Sequence, residues 1–78
     1  MTNKTNLELI DETDVGDYSV SLLLESFVDG SKVYVVRIHD AIGGHADIYL
    51  SQGMERIEAI KHYFKIRAAV DVNNLLER

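Results

Sequence analysis

Between Asp17 and His39 two apolar-rich segments flank the dipeptide Asp29-Gly30. The turn chosen there decides which face of a sheet every neighbouring side chain joins, because strand side chains repeat every two residues. Segment 17–28, DYSVSLLLESFV, alternates: Tyr18, Val20, Leu22 and Leu24 share one face, with Ser19, Ser21 and Glu25 on the other. Segment 32–39, KVYVVRIH, is rich in β-branched and aromatic residues and reads as a second strand. A two-residue Asp29-Gly30 turn would set Leu22 opposite Arg37 and Val20 opposite His39. A three-residue loop, Val28-Asp29-Gly30 with glycine in the left-handed position, instead pairs Leu24 with Tyr34, Leu22 with Val36 and Val20 with Ile38. The second register makes one face uniformly apolar and is the one expected. Segment 46–50, ADIYL, alternates again, and pairing Val36 with Ile48 sets Arg37 opposite Asp47 as a cross-strand ion pair.

Past this meander the period changes. Ser51 is read as a helix N-cap, and Met54, Ile57, Ile60, Phe64 and Ala68 recur at three- and four-residue steps as a stripe that would cover the sheet. Residues 70–78 continue the helix or form a short second one after a break near Asn73-Asn74. The expected fold is therefore α+β: an antiparallel meander of three to four strands packed on one long amphipathic helix, in a single domain spanning 1–78. Residues 17–50 are the meander and 51–78 are helical. Residues 1–16 are an edge strand or a poorly ordered segment; Thr5-x-x-Glu8 also matches a helix capping box, with the strand favoured because Val15-Gly16-Asp17 supplies a turn.

A chain of 78 residues without cysteine has neither a disulfide framework nor a thiolate zinc site, so its apolar core must suffice. No run of apolar residues is long enough for a membrane span, and the opening MTNKTNLELIDET lacks the apolar core of a signal peptide. A soluble, cytoplasmic protein is expected, without membrane attachment. The net charge of −5 is unevenly spread: residues 1–30 carry seven acids against Lys4, whereas residues 31–78 carry six acids against seven bases. Such a balance disfavours direct nucleic-acid binding, which depends on Lys and Arg neutralising phosphates. It suits a protein partner with a basic surface.

Residues capable of chemistry are sparse. The register brings His39 and His45 together beside Asp40 and Asp47, the minimum donor set for zinc or non-haem iron. The spacing is generic, and solvated loop residues are the simpler reading, so no metal and no cofactor is expected. Ser19, Ser21, Ser26 and Ser31 lie in or beside strands without a nucleophile-elbow pattern, and Gly43-Gly44 sits between strands rather than opening a helix. No enzymatic activity is expected. Arg56, Lys61, Lys65 and Arg67 would give a weak nucleic-acid-binding helix, but Glu55 and Glu58 lie among them and intrahelical pairing accounts for the pattern. The sheet's second face is more informative. Leu23, Val35 and Tyr49 form a cross-strand row there, beside Phe27 and Val33, which one helix on the other face cannot cover. Cover by Leu7, Leu9, Leu75 and Leu76, by a second copy in a homodimer, or by a partner are the alternatives.

DYSV (17–20), VRIHD (36–40) and DIYLSQGMERIEAIKHYF (47–64), in a small acidic chain without cysteine, resemble pieces of a family of small phage-encoded anti-CRISPR proteins. The resemblance covers about two thirds of the chain. It implies an inhibitor, a DNA mimic encoded by a phage or mobile element and acting in the host cytoplasm, whose acidic loop residues occupy the site where a CRISPR effector nuclease reads its target. Asp40 maps onto such a position. The family's opening helix is not matched by residues 1–12, and its acidic C-terminal helices are missing here. The partner-binding residues expected on these grounds are Asp14, Asp17, Leu23, Val35, Asp40, Asp47 and Tyr49.

Overall fold

The computed structural model describes residues 4–76, and the side chains of residues 6–73. Four strands, β1 (Lys4–Val15), β2 (Tyr18–Phe27), β3 (Lys32–Asp40) and β4 (His45–Tyr49), precede one helix, α1 (Arg56–Leu76). The strands form a single antiparallel sheet in the order β1-β2-β3-β4. The β2–β3 register pairs Leu24 with Tyr34, Leu22 with Val36 and Val20 with Ile38, as the three-residue loop requires. Gly30 takes φ 88°, and Asp29 Oδ1 accepts hydrogen bonds from the Ser31 amide at 2.9 Å and hydroxyl at 2.6 Å. β4 pairs Val36 with Ile48 and Arg37 with Asp47.

β1 carries residues that alternation alone misplaces. Leu9 lies opposite Leu23, yet Asp11 lies opposite Leu22, so Ile10 is an extra residue in a β-bulge. The bulge switches parity along the strand. Before it Leu7 and Leu9 share the face of Leu23; after it Glu12 and Asp14 do, and Thr13 and Val15 turn to the opposite face. That opposite face holds the main core of Val15, Val20, Leu22 and Val36 under Ala59 and Tyr63 of the helix, with Ile10 packed against it.

The helix sits on the expected side of the sheet but in a different phase and with a different start. Gly53 takes φ 78°, a left-handed conformation that a helix capped at Ser51 could not contain, and the helix begins instead at Arg56. Its buried stripe is Ala59 and Tyr63, with Ile60, Ile66 and Val70 packed against the core. Of the expected stripe, Ile57 and Phe64 remain 62% and 52% exposed. The reason is steric and polar together. Ala59 is small enough for close approach to the sheet, and Tyr63 lies against its helix-facing side with its hydroxyl 3.2 Å from both Thr13 Oγ1 and the Val20 carbonyl oxygen. Burial pushes the Tyr63 phenol up, while the Thr13 contact acts against that shift. The helix runs without a break through Asn73-Asn74 to Leu76, so among the described residues no separate C-terminal helix exists; residues 77 and 78 lie outside them.

Candidate partner-binding face

The helix covers one face of the sheet, and the other is organised in cross-strand rows set by the register. One row is Leu9–Leu23–Val35–Tyr49. The next is Glu12–Ser21–Arg37–Asp47, and beyond it comes Asp14–Ser19–His39–His45. From the Leu9 row toward the β1–β2 turn the face grades from apolar to polar, while in the row on its other side the buried Glu25 stands between Leu7 and Val33.

In the apolar row Leu23 and Val35 are buried, forming with Val33 a second small cluster against which Phe27 packs. The exposed parts of the row are its ends, Leu9 at 56% and Tyr49 at 58%. Leu23 and Val35, expected as contact residues, therefore support the row from within, and Leu9 takes their place at the surface. Alternation carries no signal for this, because the bulge that sets Leu9 in the row is defined only by its pairing with β2.

The middle row is internally satisfied. Arg37 Nε and Nη2 donate to the two carboxylate oxygens of Asp47 at 2.7 and 3.1 Å, a bidentate pair. This bond holds Asp47 below the ordinary carboxylate range and raises Arg37. Ser21 donates to Glu12 Oε2 at 3.1 Å. Asp47 is thus engaged within the sheet. Glu12, which the sequence reading left out of the candidate site, stands on this face because of the bulge.

The remaining acids converge at one end of the sheet. Asp14 closes β1, Asp17 lies in the β1–β2 turn beside Gly16 at φ 61°, and Asp40 ends β3 opposite Tyr18. All three line one shallow depression with Ser19 and His39. Asp40 is also structural. Its Oδ1 accepts the amides of Ile42 at 3.1 Å and Gly44 at 2.8 Å, which fixes the β3–β4 loop. A Cβ at position 44 would come within 2.9 Å of Asp40 Oδ2, so a larger residue there would have to displace that carboxylate.

His39 and His45 face each other with ring centroids 5.4 Å apart. Among the described residues no group of three or more His, Asp or Glu side chains is arranged to hold a metal ion. On the helix, Arg56 pairs with Glu8 at 3.6 Å and Arg67 lies over the rings of Tyr63 and Phe64, so two of the four helix bases are committed to contacts within the chain. Among the described residues no helix is long and apolar enough to cross a membrane. The chain matches no protein-family model, no curated protein and no solved structure.

Proposed function

We propose that this chain is a non-catalytic protein-binding module that inhibits a nucleic-acid-handling partner by occupying its basic surface. The observation that carries this reading is the convergence of Asp14, Asp17 and Asp40, from three separate segments, on one depression at the end of the sheet. Carboxylates gathered on a rigid scaffold present fixed negative charge to a surface that otherwise receives phosphates. The exposed Leu9 and Tyr49 supply apolar contact on the open face, which Asp14 shares. A phage- or mobile-element-encoded inhibitor of a CRISPR effector nuclease, the class implied by the resemblance of DYSV, VRIHD and the strand-to-helix segment, fits this mechanism of competition, and its site of action is the host cytoplasm.

The test is the triple variant Asp14→Asn/Asp17→Asn/Asp40→Asn. Asparagine keeps a carbonyl oxygen for the Ile42 and Gly44 amides, so the loop should persist and the circular-dichroism spectrum should match that of the wild type. Inhibition of a panel of purified effector nucleases should fall about tenfold or more, and the wild-type affinity should weaken as salt is raised. Unchanged inhibition by the triple variant, or affinity indifferent to salt, would sink the proposal. A second reading, a homodimer through the open face, is favoured by the exposure of Leu9 and Tyr49; sedimentation at micromolar concentration separates it, since Tyr49→Asp would then convert a dimer to a monomer.

A further inference from the structure

We propose that the outer edge of β1 is a docking edge, which takes an extended, cationic segment of a partner protein as a fifth strand alongside Asp11–Val15. This rests on the protein-binding reading and adds to it the form of the bound segment. β1 is an outer strand of twelve residues, more than twice the length of the opposite outer strand, β4. An edge of this length presents a row of backbone donors and acceptors on which another strand can form, and proteins limit such pairing with charges and bulges. β1 has both. Its described side chains include four acids, Glu8, Asp11, Glu12 and Asp14, and no base.

These charges select the occupant. A second copy of β1 laid along the edge would set acids against acids in either strand direction, so self-pairing is opposed. A strand carrying Lys or Arg at alternate positions would set all its charges on one face, beside Glu12 and Asp14, and turn its other side chains to the face of Asp11, Thr13 and Val15. Two exposed apolar residues, one on each side of the sheet, flank this edge. On the open face Leu9 lies at the outer end of its row. On the helix face Phe64 lines a groove with Thr13, Val15 and Gly16, where Arg67 lies over the Phe64 ring 5.1 Å from its centroid. A ligand lying on the open face would cover Leu9 alone, and one lying along the helix would cover Phe64 alone. A strand added about 4.8 Å beyond β1 sends alternate side chains to both faces and reaches both.

The probe is an end-blocked ten-residue peptide of alternating Lys and Val, titrated into the intact chain and read by amide shifts and hydrogen exchange. It should shift and protect backbone amides within 11–15 and bind about tenfold tighter than the Glu–Val counterpart. A Lys–Val peptide with proline at its two central positions should bind far more weakly, because proline removes ladder donors. Glu12→Lys/Asp14→Lys should reverse the charge preference. Binding that protects no β1 amide, that tolerates the prolines, or that is absent at millimolar peptide would overturn the inference. Asp17→Asn/Asp40→Asn leaves the β1 edge intact: retained peptide binding in this variant supports the edge site even where nuclease inhibition is lost, and abolished peptide binding refutes it.

Discussion

Tyr63 connects three elements through one side chain. It is 1% exposed, its ring completes the core beneath the helix, and its hydroxyl meets Thr13 of β1 and the Val20 carbonyl of β2. A buried phenol is favourable only where its hydroxyl finds a partner, and here two are within reach. Tyr63→Phe should therefore cost about 1 kcal/mol, and Tyr63→Ala about 3–5 kcal/mol by analogy with other buried aromatics; urea melts at neutral pH measure both. Asp47 supports a prediction of a different kind. Its carboxyl is lowered by the bidentate bond to Arg37, so the contribution of that bond is complete above the unfolded value of about 3.9 and is lost as pH falls through the lower folded value. Asp47→Asn should be less stable than the wild type at pH 7, and this gap should close on acidification. A gap that stays constant down to pH 2 in the same melts would show that the carboxylate's charge is not what stabilises the β3–β4 pair.

The helix has two apolar stripes, and only one is used internally. Ala59, Tyr63, Ile66 and Val70 face the sheet, whereas Ile57, Phe64 and Val72 lie well exposed. Both stripes are apolar, so periodicity alone does not fix the phase. What decides the matter is the fit of a small residue and a tyrosine against strands whose register and bulge are set elsewhere. Phe64→Ala should accordingly cost less than about 1 kcal/mol, as expected for a surface position, and Val70→Ala should cost more; denaturant midpoints at equal slope compare them. The β2–β3 hairpin was legible because the two-residue turn would set Arg37 and His39 opposite the apolar Leu22 and Val20, and β4 followed by pairing Val36 with Ile48. The parity switch at Ile10 was not legible, since an extra residue in an edge strand gains its meaning only from the partner strand. For the same reason Asp14 and Asp17 could be assigned as surface acids while Glu12 was left out of the site and Leu9 was read as cover for the apolar row.

At the scale of the whole molecule, the bulge at Ile10 divides the allegiance of one strand. Asp11–Val15 is tied to the main core through Val15 and the Thr13–Tyr63 contact, while Leu7 and Leu9 belong to the open face with its smaller cluster. One strand, its pairing with β2 interrupted at the bulge, thus spans two regions anchored by very different amounts of buried surface. Opening free energies follow local burial rather than strand membership, so the two halves of β1 should come undone separately. In native-state hydrogen exchange the protected amides of residues 11–15 should exchange with the global unfolding of the core, and those of residues 6–9 should exchange earlier, by a sub-global opening. Equal denaturant dependence for both halves would mean that the strand opens as one unit. Separate opening has a consequence for evolution as well as for dynamics: the first half of β1 can drift in sequence, and with it the outer end of the open face, under selection largely decoupled from that which maintains the fold.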